Sequence, residues 1–326
     1  MTTPKARSYH DLAVDLHNRV PVVDGHADTL DRSLEEGVAL GPAQPMLHID
    51  VPRMKAAGVN LQVLSLWVPP DLKGERALRR AMAMAACFHA ARRADPDVRL
   101  VASVADVDVA RPGFVLSFEG AEPLADDPHL LDAWYALGLR MIALTWNGRN
   151  GFADGLTVGD RPSGITGLGQ DLLRRMRDLG VVLDLAHIAE AGFWHALELT
   201  EGPVVVSHAN ARALCSHPRN MTDDQLRAIA GRGGLVGACV VPKFLGEEAA
   251  LEDVARHVLH MVEIAGADHV GLGCDFDGVT SLPRGVAGIQ DLPALTALLL
   301  ERGLAEEDMA KILGGNWLRV FGQVWM

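Results

Sequence analysis

The sequence alternates short apolar runs with helical patterns from end to end, and this alternation limits the folds that the chain can adopt. Most runs are continuously apolar, as in parallel strands that are covered on both faces. The runs lie at residues 20–24, 61–68, 114–118, 141–146, 181–185, 204–207, 235–241 and 269–276, with a ninth at 99–107. Parallel neighbours need crossover connections, which are usually helices.

Helical patterns fill the segments between the apolar runs. We predict helices at residues 75–94, 169–179, 222–230 and 251–265. Gly180 follows the second helix as a C-cap, and Thr222 with Gln225 has the spacing of a capping box. About eight strand–helix units without a break in composition favour one closed barrel. The prediction is an α/β fold, a distorted (β/α)8 TIM-type barrel that forms a single domain over residues 1–326, with a helical extension at about 1–19.

The net charge and the lack of a targeting pattern limit the classes of binding partner that we expect. The formal net charge of −12 argues against nucleic-acid or anionic-membrane binding, because both need clustered Lys and Arg. Residues 1–16 are polar and carry no signal-peptide pattern, and no apolar stretch approaches the length of a membrane span. We therefore expect a cytoplasmic protein with a small-molecule partner, no nucleic-acid or membrane partner, and a homodimer as the candidate assembly.

Ionisable residues stand at the C-terminal ends of five predicted strands, which is where barrel enzymes place their chemistry. These residues are His26 and Asp28, Glu119, His187, His208 and Asp275. Each one alone could be a structural hydrogen-bonding residue. Together they form a nitrogen and oxygen ligand set that suits Zn²⁺, Mn²⁺, Fe²⁺ or Co²⁺. The four cysteines are far apart, so a thiolate metal site is not expected.

The size of this ligand set favours two metal ions over one. A zinc ion with three protein ligands would leave residues unused. Two ions about 3.5–4 Å apart, bridged by a carboxylate and a hydroxide, would use them all, and would activate water and polarise a carbonyl group. The residues therefore predict metal-assisted hydrolysis with two divalent metal ions, zinc first among the candidates.

The first of these strand ends carries three ionisable residues at alternate positions. In the sequence "DGHAD", Asp24, His26 and Asp28 occupy alternate positions, so a continuous strand would point all three to the same side. Asp24 lies deeper in the strand than the other two. We expect it to support the ligands and not to bind metal itself.

Seven motifs resemble those of the renal (membrane) dipeptidase family, which are metallopeptidases of the amidohydrolase superfamily. The motifs are VDGHADTL, SFEGAEPL, LTWNGRNGFADG, VVLDLAHIAE, VVVSHANARAL, HPRN and GCDFDGV. They occur in the order typical of the family, from about Pro21 to Phe321. The resemblance implies hydrolysis of unblocked dipeptides through a metal-bridging hydroxide, including dipeptides with a C-terminal D-amino acid such as L-Ala-D-Ala.

The resemblance also implies the roles of the metal ligands. By this analogy His26 and Asp28 bind one metal ion, and His187 and His208 bind the other. Glu119 bridges the two ions, in the place that a carbamylated lysine occupies in other amidohydrolases.

Further roles around the metals follow from the same resemblance. Asp275 matches the catalytic acid/base, and Arg219 matches the residue that binds the terminal carboxylate of the substrate, for which a guanidinium is well suited. Several family members have a histidine where this chain has Trp146. Polarisation of the carbonyl would then fall to the metal or to a neighbour such as Asn147 or Arg149. We therefore expect Trp146 and Asn147 to contact the substrate.

Four residues near the motifs have simpler interpretations. Asp184 and Asp277 are predicted to make structural hydrogen bonds, and Cys274 is predicted to pack in the core, because no base partner is identifiable. His217 either lines the pocket or is a solvated loop residue.

Two other functions are compatible with these residues. A binuclear hydrolase of N-acyl amino acids, lactones or β-lactams would use the same ligands. A catalytically inactive barrel that acts as a binding protein is the candidate from a different class, and Trp146 is the feature that favours it.

Overall fold

The computed structural model describes residues 7–159 and 162–326, and at its centre eight parallel strands close into a barrel in sequential order. The strands are β1 (Val23–Ala27), β2 (Leu61–Ser65), β3 (Gly113–Glu119), β4 (Leu139–Ala143), β5 (Val182–Asp184), β6 (Val205–Ala209), β7 (Leu235–Ala238) and β8 (Val270–Leu272). Strand β8 pairs with β1 and closes the barrel. The predicted (β/α)8 fold is confirmed. The first six residues of the expected N-terminal extension lie outside the described residues.

Helices surround the barrel and connect its strands. They are α1 (Tyr9–Arg19), α2 (Thr29–Glu36), α3 (Val51–Ala57), α4 (Glu75–Ala94), α5 (Leu131–Ala136), α6 (Gly167–Leu179), α7 (Glu190–Leu199), α8 (Asp223–Gly231), α9 (Pro242–Leu245), α10 (Leu251–Ala265), α11 (Leu292–Glu301), α12 (Glu306–Ala310) and α13 (Asn316–Val324). A π-helical turn, Lys311–Gly315, joins α12 to α13. No helix of the described ranges is long and apolar enough to cross a membrane.

The predicted helix ends agree closely with the structure. Helices α4 and α10 have the predicted bounds. Thr222 and Gln225 form the predicted capping box at the start of α8, and Gly180 ends α6 with a φ of 70°. Helix α6 begins two residues earlier than predicted, because the hydroxyl of Thr166 caps it by accepting a hydrogen bond from the backbone N–H of Gly169.

The ninth apolar run, residues 99–107, is not a barrel strand. It makes one isolated bridge, between Leu100 and Phe114, and then turns into the 3₁₀ segment Val104–Asp106. The side chain of Asp106 accepts a hydrogen bond from the backbone N–H of Ser103 and fixes this turn. Eight strands already close the barrel, so this run packs beside β3 without entering the ring.

The two ends of the barrel differ in polarity. The lower interior is a buried apolar cluster formed by Val23, Leu61, Val63, Val115, Met141, Val182, Val205 and Leu235, which α13 and Trp325 close from below. Trp317 on α13 enters this cluster and donates a hydrogen bond from Nε1 to the backbone oxygen of Leu272 at 2.9 Å. A Cβ atom at Gly25 would lie 2.0 Å from its ring, so only glycine leaves room for the indole. This apolar packing fills the lower half of the barrel, and the candidate metal-ligating side chains lie at the upper, C-terminal mouth.

Candidate metal centre

The side chains predicted at the strand ends meet at the C-terminal mouth of the barrel. The residues are His26, Asp28, Glu119, His187, His208 and Asp275, and all are buried or nearly so. They form three overlapping groups, and within each group the potential ligand atoms lie within 4.8 Å of one another. Strands β1, β3, β5, β6 and β8 deliver them, because the C-terminal ends of parallel barrel strands share one rim.

Glu119 lies at the centre of this cluster and faces both halves of it. Its Oε1 atom is 2.8 Å from His187 Nε2 and 3.7 Å from His208 Nε2. Its Oε2 atom is 3.5 Å from His26 Nε2, which in turn is 3.9 Å from Asp28 Oδ1. The two carboxylate oxygens thus point to different sets of ligand atoms, as a bridging carboxylate would require.

Asp275 closes the cluster from the side of β8. Its Oδ1 atom is 3.8 Å from His26 Nε2, and its backbone N–H donates to the carbonyl oxygen of His26 at 3.1 Å. A Cβ atom at Gly278 would lie 2.4 Å from Asp275 Oδ1 and 2.5 Å from Asp28 Oδ2. Glycine at this position therefore lets the two carboxylates approach each other.

Two of the clustered residues adopt left-handed backbone conformations. The φ angle is 65° at His187 and 64° at Asp275. Such conformations cost about 1–3 kcal/mol each in non-glycine residues and persist where the surroundings enforce them. The bends aim both side chains into the barrel mouth, just after β5 and β8 end.

The prediction that Asp24, His26 and Asp28 share one side of a continuous strand is wrong. Strand β1 ends at Ala27, its register with β2 shifts between Asp24 and Ala27, and Asp28 is the N-cap residue of α2. His26 and Asp28 therefore converge through a bulge and a strand-to-helix turn. Asp24 plays the expected supporting part, because its Oδ1 accepts a hydrogen bond from the backbone N–H of Cys274 at 2.7 Å.

The electrostatics of the cluster favour a cation. Burial raises the pKa of Asp275 to about 7, and burial together with Glu119 raises the pKa of Asp28 well above its ordinary value. Burial alone would lower the pKa of His26, but the Glu119 and Asp28 carboxylates outweigh it and raise that pKa to about 10. The three carboxyl groups therefore do not ionise together without nearby positive charge, and bound cations would supply that charge at the barrel mouth.

The remaining imidazoles are neutral donors of lone pairs. Burial lowers the pKa of His187 to about 4 and the pKa of His208 well below its ordinary value. The Nδ1–H of His187 donates to Asn147 Oδ1 at 2.8 Å, which leaves the Nε2 lone pair directed at Glu119 and His208. Ser207 Oγ lies 2.8 Å from His208 Nδ1 and orients that ring in the same way.

Unsatisfied polar atoms also point to metal ions. Among the described residues, His26 Nδ1, His26 Nε2 and Asp28 Oδ1 are buried and have no hydrogen-bond partner. The Nε2 atoms of His187 and His208 face each other at 2.9 Å. Polar atoms buried without partners are costly, and a divalent cation would satisfy the Asp28 oxygen and, once His26 gives up its proton, one nitrogen of that ring. The residues present therefore fit divalent metal ions.

A buried guanidinium lies beside the cluster. Arg219 is only 6% exposed, and its Nη2 donates to the backbone oxygen of His208 at 2.9 Å. Its Nε has no hydrogen-bond partner among the described residues, and its guanidinium carbon lies 5.5 Å from the centre of the Phe244 ring. The backbone N–H of Arg219 donates to His217 Nδ1, so His217 fixes this loop. A buried cation with an unused donor suits an anionic group of a ligand.

The polar side chains of the segment after β4 have partners within the protein. Asn147 orients His187, so its amide oxygen is already engaged by the protein. Arg149 forms an ion pair with Asp154, with Nη2 donating to Oδ2 at 2.9 Å, and is not directed at the cluster. Trp146 lies close to the cluster, with its ring centre 6.0 Å from that of His187.

The predictions for the structural residues near the motifs are confirmed. Asp184 Oδ1 accepts hydrogen bonds from the backbone N–H groups of Ala186 and Ser207. Asp277 accepts from Thr29 Oγ1 and orders its loop, and Cys274 is buried in the apolar core.

Sequence reasoning missed three residues around the cluster. Ser65 donates from Oγ to Glu119 Oε2 at 3.4 Å, Ser207 contacts His208, and Trp67 packs against Trp146. Ser65 ends β2, Ser207 lies on β6 and Trp67 follows β2. Their positions in or just after barrel strands could have indicated a place near the cluster. Serine and tryptophan also occur there as packing or hydrogen-bonding residues, so position alone did not identify them.

Comparison of the sequence with known proteins identifies one family. The family model described as membrane dipeptidase, peptidase family M19, matches residues 10–325. An uncharacterized protein from the pqqA 5′ region of Klebsiella pneumoniae is 37% identical over 243 residues, which cover 70% of this chain and 89% of that protein. An uncharacterized dipeptidase of Schizosaccharomyces pombe is 35% identical over 212 residues, 64% of this chain but only 52% of that protein.

Comparison with solved structures gives a similar match over nearly the whole chain. A metallo peptidase from Rhodobacter sphaeroides, liganded with a phosphinate mimic of the dipeptide L-Ala-D-Ala, superimposes with a TM-score of 0.87. The two sequences are 31% identical, and the match covers 94% of this chain and 99% of that chain.

Proposed function

The chain belongs to the membrane dipeptidase family of metallopeptidases, family M19, and from this premise we propose that it hydrolyses unblocked dipeptides with two divalent metal ions at the barrel mouth. That the enzyme is a metallo-dipeptidase follows from the family. The observation that supports two ions is the position of Glu119, whose Oε1 is 2.8 Å from His187 Nε2 and whose Oε2 is 3.5 Å from His26 Nε2.

We assign the ligands to the two ions as the side-chain groups suggest. His26, Asp28 and Glu119 would hold one ion, and Glu119, His187 and His208 would hold the other. The proposed metal is zinc, which imidazole nitrogens and carboxylate oxygens bind readily and which is the first of the candidate metals for this ligand set. When bound, such ions lower the pKa of a water molecule and polarise the scissile carbonyl group.

Asp275 is the residue that we assign to proton transfer. Its carboxylate lies at the edge of the cluster, with a side chain that is 13% exposed, and so can reach both the cluster and a substrate. The carboxylate accepts the proton that the attacking water loses as its oxygen bonds to the carbonyl carbon. The same carboxyl group then gives this proton to the amide nitrogen as the C–N bond breaks, and the amine leaves in neutral form.

The substrate that we propose has a free carboxylate on its second residue. The buried guanidinium of Arg219 has an unused donor, Nε, for that carboxylate, and the scissile carbonyl belongs to the first residue. The configuration of the second residue is therefore remote from the reacting carbon. The Rhodobacter metallo peptidase liganded with a mimic of L-Ala-D-Ala supports including C-terminal D-residues in the proposal.

Replacing the guanidinium group of Arg219 by an amine tests the proposed binding site for the substrate carboxylate. Arg219→Lys is expected to lower kcat/KM for dipeptides about 10- to 100-fold, mainly through KM, because hydrogen bonds to charged groups contribute about 1.5–3 kcal/mol. The loss is expected to be much smaller for the corresponding dipeptide amides, which lack the carboxylate. Steady-state kinetics on both substrate types checks this, with Arg149→Lys as the control outside the cluster. Equal losses on acids and amides would remove Arg219 from this role.

A substrate panel tests the function as a whole. The purified protein loaded with zinc is expected to cleave L-Ala-D-Ala and L-Ala-L-Ala to free amino acids, and to cleave their N-acetyl forms about 100-fold less efficiently. Release of alanine is measured directly by chromatography. Equal rates on acetylated and free dipeptides would favour an N-acyl amino acid hydrolase, and turnover of lactones or β-lactams alone would favour a lactone or β-lactam hydrolase.

A further inference from the structure

Two tryptophans border the metal centre on one side of the barrel mouth. Trp67 follows β2 and Trp146 follows β4, so they stand on either side of β3, which carries Glu119. Their ring centres are 5.3 Å apart and their planes meet at 71°, an edge-to-face contact. We call this pair the aromatic wall.

The backbone of Trp146 is closely packed, and both indoles of the aromatic wall are still accessible. A Cβ atom at Gly120 would lie 3.1 Å from the backbone N of Trp146, and one at Gly155 would lie 2.1 Å from its carbonyl oxygen. The backbone of Trp146 is therefore packed closely on both sides. Both indole side chains are only partly buried, so they present apolar surface at the edge of a polar site. Rigid aromatic surface of this kind binds apolar groups at low entropic cost.

The position of Arg219 determines which part of a dipeptide reaches the wall. The guanidinium of Arg219 lies beside His208 on β6 and Phe244 on α9, which follows β7. In the closed eight-stranded barrel, β7 is directly across from β3. A dipeptide whose carboxylate binds Arg219, with its peptide bond over Glu119, extends its N-terminal residue toward the β3 side. That side is bordered by the aromatic wall.

We propose that the aromatic wall binds the side chain of the substrate's N-terminal residue and gives the enzyme a preference for large apolar side chains, aromatic ones above all, at that position. The inference rests on the proposed dipeptidase function. Its physical basis is the burial of apolar surface, at roughly 25 cal/mol per Å², together with the additional attraction between aromatic rings.

Two series of dipeptides separate the N-terminal from the C-terminal preference. The first compares Phe-Gly, Leu-Gly and Ala-Gly, and the second compares Ala-Phe with Ala-Ala. In Trp67→Ala and in Trp146→Ala, the ratio of kcat/KM for Phe-Gly over Ala-Gly is expected to fall about tenfold, whereas the ratio for Ala-Phe over Ala-Ala is expected to stay constant. Trp194→Ala is the matched control, because Trp194 is exposed on the outer helix α7, and both ratios should stay constant in it.

The outcomes distinguish this inference from the dipeptidase proposal. If the wall only supported the loop that carries Asn147, all substrates would lose activity equally and the ratios would not change, which overturns the inference. A change confined to the C-terminal series would overturn it as well. Trp146→Phe keeps an aromatic ring and should retain most of the preference for Phe-Gly over Ala-Gly. It replaces Trp146→Ala in the test if the alanine variant does not fold. If the unaltered enzyme cleaves no free dipeptide, the dipeptidase proposal fails first and the inference falls with it.

Discussion

Asp275→Asn is expected to bind as much metal as the unaltered enzyme and to hydrolyse dipeptides about 10²- to 10⁴-fold more slowly, which is the usual contribution of a general acid–base group. The amide has nearly the shape of the carboxylate but neither accepts nor delivers the proton. Asp275 Oδ1 lies 3.8 Å from His26 Nε2, close enough to the cluster for this transfer. The loss should appear in kcat, with little change in KM.

Two measurements on the same preparation check this prediction. Steady-state kinetics with L-Ala-D-Ala gives kcat, and elemental analysis gives metal per chain. Asp268→Asn makes the same chemical change at a side chain that is 63% exposed and pairs with Lys311, so it should leave both values unchanged. Normal turnover in Asp275→Asn would remove Asp275 from proton transfer, and loss of metal would make it a ligand instead.

Glu119→Gln is expected to lose most of its metal and at least about 10³-fold in turnover. Within the metal-ligand cluster, Glu119 has its two oxygens facing different imidazoles, Oε1 toward His187 and Oε2 toward His26. Glutamine keeps the size of the side chain, but it replaces one ligand oxygen by an NH₂ group and removes a negative charge that offsets the cations. This one substitution should therefore weaken the binding of both ions.

The control for Glu119→Gln is Glu122→Gln. Glu122 lies three residues further along the chain, has a side chain that is only 8% exposed, and lies outside the three potential ligand groups. After dialysis against metal-free buffer, the control should keep two ions per chain, whereas Glu119→Gln should keep fewer than one. Circular dichroism establishes that both variants are folded. Two tightly held ions in folded Glu119→Gln would contradict the bridging role.

The sequence was sufficient to predict the fold and the membership of the cluster. Continuous apolar runs specify buried parallel strands, and the C-terminal ends of such strands meet at one rim in a barrel. His26, Glu119 and His208 therefore come together once the strand ends are located, without any knowledge of distances. The capping signals at Thr222 and Gly180 also placed helix ends correctly, because they act between residues that are close in sequence.

The details of the site could not be predicted, because they depend on contacts between distant segments. The left-handed backbone at His187 and Asp275 depends on the surrounding segments. Histidine and aspartate adopt it more readily than most residues, but the residue type does not show which of them will. The register shift in β1 likewise depends on its pairing with β2. Because of it, Asp24, His26 and Asp28 do not lie along one straight strand, as their alternate spacing had predicted.

In the segment after β4, the hydrogen-bond partners of the side chains could not be predicted either. Asn147 and Arg149 both had the chemistry to contact a substrate carbonyl. The fold brings Asn147 to His187, 40 residues away, and Asp154 engages Arg149. Only the assembled loops determine which partner a polar side chain takes.

Anomalous diffraction from crystals of the zinc-loaded enzyme, measured on both sides of the zinc absorption edge, tests whether two metal ions share Glu119. We expect two anomalous peaks per chain, one bound by His26 and Asp28 and the other by His187 and His208, with Glu119 in contact with both. A single peak, or a second ion that is not bound by His187 and His208, would contradict the two-metal site.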